Sequence, residues 1–241
     1  MLLYAVTDRV LLAGREAEGP ENPILRLIAT AGDWAANGVD FIQVREKDLS
    51  VADLTRLAAG IVRAVRQRGG STKVLVNASP EDAAAVVALA AGADGVHLRS
   101  GLNREQLAEA VRRTRRGFAG NATVSVSCHS ASEIRAARSA GATLALFGPV
   151  FEKALPGRRT LPGTGLEALA GACLTGGQPA PEPALPVLAL GGVTLANADQ
   201  CAAAGAAGVA AIRLFLQKGP EREREWRRLS RLRVGGAQLP R

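Results

Sequence analysis

"AAGADGVHL", residues 90–98, decides the fold. Alanines typical of a helix run into a glycine, and after two residues a short β-rich run begins. The same outline recurs in "ANGVDFIQV" (36–44), "SAGATLALF" (139–147) and "AAGAAGVAAI" (203–212). Each reads as a helix end, a glycine able to take the left-handed cap conformation, and a buried strand. The glycines Gly38, Gly92, Gly141 and Gly205 are spaced by about two strand–helix units, the beat of an internal repeat.

Reading outward from these segments, eight short apolar runs appear: 2–7, 40–44, 73–77, 94–98, 123–127, 143–148, 186–192 and 208–214. Ala/Arg/Glu-rich stretches with helical periodicity separate them, at about 22–37, 50–68, 80–92, 103–116, 130–140, 164–174, 194–204 and 220–232. Ser50, Ser79, Asn103, Ser130 and Thr194 stand where N-caps belong, and Glu133 follows Ser130 at capping-box spacing. Gly69 joins the four repeat glycines at helix ends. Eight strands alternating with eight helices predict a (β/α)8 TIM barrel of α/β class. An open doubly wound sheet is the alternative, but it leaves the repeat unexplained. The reading is a single barrel domain over 1–241, with its core at about 2–215 and a C-terminal helix at about 220–232. The segments 152–163 and 176–186 read as loops, and the first of these invites a lid hypothesis.

The 241 residues suit such a barrel, which typically needs about 250. Apolar residues make up 47%, so a large core is available, but aromatics are only 3%. That scarcity argues against a stacking surface for single-stranded nucleic acid. The net charge of +8 is concentrated in Arg112–Arg116 and in the stretch from Arg222 to Arg233. Both lie on helical segments and read as solvated faces, so nucleic acid is not the expected partner. Cys128, Cys173 and Cys201 are odd in number and far apart, as expected of reduced thiols in a cytoplasmic protein. The N-terminus reads as a first strand and not as a signal peptide, and no membrane partner is expected. A homo-oligomer is compatible with the sequence.

In a barrel of this type the site lies at the carboxyl ends of the strands. Unusual polar residues fall there: Thr7 and Asp8; Gln43, Arg45 and Lys47; Asn77; His97; Ser127, Cys128 and His129; Gly191 and Gly192; and Arg213. In "DFIQVREKDLS" (40–50), Gln43, Arg45 and Lys47 occupy every second position, which predicts one shared face aimed at an anionic ligand. "LGGVT" (190–194) predicts a phosphate cup, where glycine amides meet a helix start after the seventh strand. His129 is the better-placed candidate for proton transfer, with His97 in a packing or supporting role. Asp8 and Glu46 read as structural ion partners, and Cys128 as a small buried residue.

"YAVTD", "FIQVREK", "VLVN", "ADGVHL", "FGPVFE", "PVLALGGVT" and "AGAAGVAAI", in this order, resemble the thiamine phosphate synthase and thiazole tautomerase (TenI) superfamily over about residues 2–215. The resemblance implies a barrel acting in thiamine biosynthesis. Its synthase branch joins a hydroxymethylpyrimidine diphosphate to a thiazole phosphate and releases diphosphate with Mg²⁺. It implies that Gln43, Arg45 and Lys47 grip the pyrimidine diphosphate, that Asn77 lines the site and that Ser127 contacts diphosphate. It also implies that Gly191, Gly192, Ile212 and Arg213 hold the thiazole phosphate. Where the synthase carries its two metal-binding aspartates, this chain has Ala78 and a residue near Leu102. Its basic run after the sixth strand is replaced by Lys153, Arg158 and Arg159. "RSG" and "LFGPVFE" are similar to the tautomerase branch, although Pro149 stands at that branch's catalytic histidine. The expectation is therefore a thiazole tautomerase-like enzyme with His129 as the catalytic group and no metal or other cofactor. The alternatives are a thiamine phosphate synthase using Mg²⁺, and a non-catalytic protein that binds a phosphorylated ligand. In each case the expected partner is a small phosphorylated thiazole.

Overall fold

Eight parallel strands close on one another, so that no strand edge is left unpaired. The computed structural model describes residues 1–14, 22–78, 81–154, 160–179, 183–216 and 220–231. The barrel strands are β1 (Leu2–Val6), β2 (Phe41–Val44), β3 (Lys73–Val76), β4 (Gly95–Leu98), β5 (Thr123–Cys128), β6 (Leu144–Phe147), β9 (Val187–Leu190) and β10 (Gly208–Ala211). Each pairs with the next barrel strand along the chain, and β10 closes on β1. The expected (β/α)8 barrel is the observed fold. Helices α2 (Pro23–Ala36), α3 (Val51–Gln67), α4 (Glu81–Ala91), α5 (Arg104–Gly117), α6 (Ala131–Ser139), α7 (Gly165–Gly177) and α8 (Ala198–Ala203) alternate with the strands.

Strand alternation divides the apolar residues between two cores. On β2, Ile42 and Val44 join the outer core against the helices, while Phe41 joins Tyr4, Leu75, Leu146 and Leu188 inside the barrel. The Tyr4 and Phe41 rings stack there, with centroids 5.7 Å apart. A strand's outer face meets a helix and its inner face meets other strands, so neither can be polar without a partner. Polar side chains on the inner face, at Gln43, His97 and Ser125, are therefore the exceptions that need explaining.

The helix ends follow the expected chemistry. Gly38, Gly69, Gly92, Gly141 and Gly205 all take positive φ. Ser50 and Ser130 accept N–H groups from the first turns of α3 and α6. Asn103 forms a full capping box with Gln106. At α6 the Glu133 carboxylate accepts the His129 N–H, one residue ahead of the Ser130 position that a capping box would use. Ser79 lies outside the described residues. Thr194 is not an N-cap: α8 begins only at Ala198, and Thr194 donates its N–H to Asn197 Oδ1 at 2.7 Å. The intervening turn uses up residues that the helical periodicity had claimed.

A short first helix and one strand pair escape the periodicity, while the C-terminal helix falls where it is expected. Helix α1 (Arg9–Ala13) is a single short turn capped by Asp8, which accepts the Leu11 N–H at 2.8 Å. The segment expected to be a loop over 152–163 contains an antiparallel pair, β7 (Lys153–Ala154) and β8 (Thr160–Leu161). Arg158 and Arg159 lie outside the described residues, so the lid hypothesis does too. Helix α9 (Pro220–Arg231) carries the C-terminal charge and buries one face. Trp226 packs on Phe215, whose carbonyl accepts the Trp34 indole N–H at 2.9 Å, and the amino terminus of Met1 donates to the Ser230 carbonyl. The arginine clusters read as solvated faces pair locally: Arg112 and Arg113 with Glu109, and Arg228 with Glu225 and Asp199. No described helix is long and apolar enough to cross a membrane.

Candidate active site

The carboxyl ends of β1 to β5 assemble a polar lining from inward-facing positions. Gln43 is buried inside the barrel, and its Oε1 accepts the Tyr4 hydroxyl at 3.2 Å. The Tyr4 oxygen lies 2.9 Å from Ser125 Oγ. Ser125 Oγ lies 2.8 Å from His97 Nδ1, and His97 Nε2 lies 2.9 Å from Ser127 Oγ. Asn77 donates its amide N–H to the His97 carbonyl at 3.1 Å. One chain of hydrogen bonds thus runs from β2 through β1, β5 and β4 and back to the end of β5. Burial and then the charge of Arg45 hold His97 far below its usual range, at about 3, so the ring is neutral at physiological pH. Burial likewise raises Tyr4 well above the usual phenol range.

Arg45 lies just past β2, where its N–H donates to the buried Thr7 hydroxyl at 2.9 Å. Strand β2 ends at Val44, so strict alternation stops there, and Lys47 is an exposed residue on the turn that follows. Gln43 and Arg45 stand on the lining, while the reach of Lys47 is set by a turn and not by strand geometry. Glu46 is turned away from the mouth. Its carboxylate accepts Arg9 Nη1 at 2.9 Å, and Arg9 also bridges to Asp48, holding that carboxyl at about 2. Arg9 and Glu46 thereby tie the first two loops together. Glu46 is the structural ion partner expected of it, whereas Asp8 serves as the N-cap of α1 and not as an ion partner. Cys128 faces outward into the helix layer, where burial and then Glu133 push its thiol up to about 12.

His129 sits at the rim, not in the lining. Its Nδ1 donates to the Gly148 carbonyl, and its Nε2 lies 3.0 Å from Ser100 Oγ. Both ring nitrogens are engaged by neighbouring loops. The residue that sequence reasoning placed second, His97, occupies the centre of the polar chain. The signal that could have found it was parity: His97, Ser125 and Ser127 share the inner phase of their strands, read from Gly95 and Thr123.

Gly191 and Gly192 follow β9 with φ of 91° and 65°. A Cβ on Gly191 would lie 2.6 Å from the Cβ of Pro149, and one on Gly192 would lie 2.6 Å from the Cβ of Phe151. Val150 and Phe151 donate their N–H groups to the carbonyls of Leu190 and Gly191 at 2.8 and 3.1 Å. These glycines let the segment after β6 lie directly on the β9 turn. The turn does not run straight into a helix, because α8 starts later. Ile212 and Arg213 lie in the turn after β10, with Ile212 partly buried and Arg213 exposed.

Among the described residues, carboxylates do not converge as a Mg²⁺ site requires. Ala78 and Leu102 pack against the apolar core, Asp8 caps α1 and Glu46 is held by Arg9. Among the described residues no group of three or more His, Cys, Asp or Glu side chains forms a metal-binding cluster. The donors among the described residues do not by themselves fit a Mg²⁺ ion.

Residues 3–215 match the profile of the thiamine monophosphate synthase family. The chain belongs to this family. Among similar proteins, the thiamine-phosphate synthase of Methanoculleus marisnigri is 36% identical over 217 residues, covering 90% of this chain and 88% of that one. The thiamine-phosphate synthase of Roseiflexus sp. is 32% identical over 213 residues, covering 88% and 76%. Among solved structures, the thiamine phosphate pyrophosphorylase from Pyrococcus furiosus superposes with a TM-score of 0.67 at 23% identity, over 95% of this chain and 94% of that one. That likeness bears on the fold. Membership of the thiamine monophosphate synthase family makes this barrel part of thiamine biosynthesis.

Proposed function

We propose that this family member catalyses the synthase reaction, transfer of a pyrimidinylmethyl group from its diphosphate to a thiazole phosphate. The reading is carried by the near full-length likeness to proteins named thiamine-phosphate synthase, and it reverses the preference that the sequence motifs gave to tautomerisation. The geometry agrees with it. In this transfer the carbon–oxygen bond to diphosphate breaks with its electron pair leaving on oxygen. The thiazole nitrogen gives its lone pair to the methylene carbon, and no proton moves. Such a reaction asks for cations and orientation, not for a general base. The mouth offers Arg45 and Lys47 as cations, and the two histidines have their ring nitrogens engaged. Gln43, Asn77 and Ser127 would orient the pyrimidine half, while Gly191, Gly192 and the turn at Ile212–Arg213 would receive the thiazole phosphate.

The test is to incubate the protein with both phosphorylated substrates, with and without Mg²⁺, and to quantify thiamine phosphate by chromatography. Product above the uncatalysed background supports the reading, and no product under either condition refutes it. A second reading, thiazole tautomerisation or plain phosphate binding, is favoured by Ala78 and Leu102 standing where the metal carboxylates belong. NMR of thiazole tautomer exchange tests it, and His129→Ala should abolish that exchange if His129 moves the proton.

A further inference from the structure

We infer that Asn197 is a positioning residue for phosphate binding: its side-chain amide clamps the turn after β9 so that the Gly192 and Val193 N–H groups are held ready for a phosphoryl oxygen. Three consecutive carbonyls of this turn are tied back. The Leu190 carbonyl accepts the Val150 N–H at 2.8 Å, and the Gly191 carbonyl accepts the Phe151 N–H at 3.1 Å. The Gly192 carbonyl accepts Asn197 Nδ2–H at 3.0 Å. In a planar trans peptide the next residue's N–H points opposite to the carbonyl. Tying back the Gly191 and Gly192 carbonyls therefore turns the Gly192 and Val193 N–H groups the other way. Among the described residues neither N–H has an acceptor. The positive φ of Gly191 and Gly192 lets successive peptide planes adopt these directions.

Asn197 acts at both of its amide atoms. Its Oδ1 accepts the Thr194 N–H at 2.7 Å while its Nδ2 holds the Gly192 carbonyl, so the side chain brackets Val193. The orientation of the amide is fixed by chemistry, because the Thr194 N–H only donates and the Gly192 carbonyl only accepts. Thr194 is thereby withdrawn from the ligand, and the donors left are the adjacent N–H groups of Gly192 and Val193. Adjacent amides turned to one side form a concavity suited to an anion. Val150 and Phe151 hold the turn through their backbones, so Asn197 is the side chain in this set of contacts that a substitution can remove. Without it the Gly192–Val193 peptide can rotate, and the glycine offers no resistance. Docking of a thiazole phosphate at this turn rests on the function proposed above, whereas the fixing of the turn does not.

The first test is ¹H–¹⁵N NMR of the full chain titrated with inorganic phosphate. The Gly192 and Val193 amide protons should shift downfield together, while that of Thr194, already bonded to Asn197, should shift little. No response at Gly192 and Val193, or an equally large one at Thr194, overturns the proposal. The second test is calorimetry with the thiazole phosphate and with its unphosphorylated alcohol. Asn197→Ala should bind the phosphate about tenfold more weakly and the alcohol within about twofold of wild type. Asn197→Asp keeps the acceptor for Thr194 but sets an oxygen against the Gly192 carbonyl and adds negative charge, so it should bind the phosphate more weakly still. In the synthase assay, the KM for thiazole phosphate should rise in Asn197→Ala and that for the pyrimidine diphosphate should not. Equal weakening of phosphate and alcohol, or an equal rise in both KM values, marks a general structural loss and refutes the positioning role. If neither variant folds, the wild-type amide shifts decide alone. If inorganic phosphate moves the two amides but the thiazole phosphate does not bind, the ligand reading fails and the clamp stands.

Discussion

Replacing Arg9 by alanine leaves the Glu46 carboxylate without its cation. The Glu46 side chain is 3% exposed and that of Arg9 is 16% exposed, so the pair is largely shielded from water. Removing one member of a fully buried pair costs about 3–5 kcal/mol, because the remaining charge is stranded. Here the cost is softened by the Arg9 backbone N–H, which still reaches Glu46 at 3.2 Å. A loss of about 2–3 kcal/mol follows from these two considerations. For a chain of this size that corresponds to a drop in Tm of about 4–12 °C. Urea titration of the wild type, Arg9→Ala, Glu46→Leu and Arg9→Met/Glu46→Leu gives the magnitude and separates the contributions. The apolar double variant should regain most of the stability lost in Arg9→Ala, since a stranded charge and not a missing attraction is the source of the loss. The reasoning would be refuted by an Arg9→Ala variant within 0.5 kcal/mol of wild type, or by a double variant no more stable than Arg9→Ala.

Gly191→Ala should lower stability by about 2–5 kcal/mol, combining the left-handed backbone cost with the collision at Pro149, and thermal melts should register it clearly. His97 titrates at about 3 in the fold against about 6.5 unfolded, so its contribution is complete above pH 6.5. Below that pH the unfolded chain binds a proton that the native state refuses, and stability falls by about 1.4 kcal/mol per pH unit towards pH 3. The difference between wild type and His97→Gln, followed by Tm against pH, isolates this slope; parallel profiles would count against a buried neutral ring. Burial raises the thiols of Cys128 and Cys173 to about 12 and that of Cys201 to about 11. All three should resist iodoacetamide at pH 8 in the native protein and react only after unfolding, as mass spectrometry would reveal.

Much of the barrel was legible because its signals are local. The positive-φ glycines end helices through their own backbone freedom, and Ser50 and Ser130 cap through atoms within three residues. The α8 boundary was less legible. Thr194 has the chemistry of a cap, but Asn197 holds its N–H, and that competition is invisible in a residue count. Lys47 shows the limit of alternation: a period of two predicts a face only while the strand lasts, and β2 ends at Val44. His129 looked like the stronger proton carrier from its place in the chain, yet it is held between Gly148 and Ser100, residues from two other loops.

The sequence by itself determined the alternation of strands and helices, the inner phase of each strand and the polar positions at the carboxyl ends. These depend on backbone geometry that repeats every two or 3.6 residues. Only the tertiary structure decided which of those positions meet. The link from Tyr4 to Ser125 spans 121 residues, and the link from Tyr4 to Gln43 spans 39. Barrel closure sets those distances: the stagger of eight strands brings β1, β2, β4 and β5 to one height. No local pattern carries that information, because it belongs to the ring as a whole.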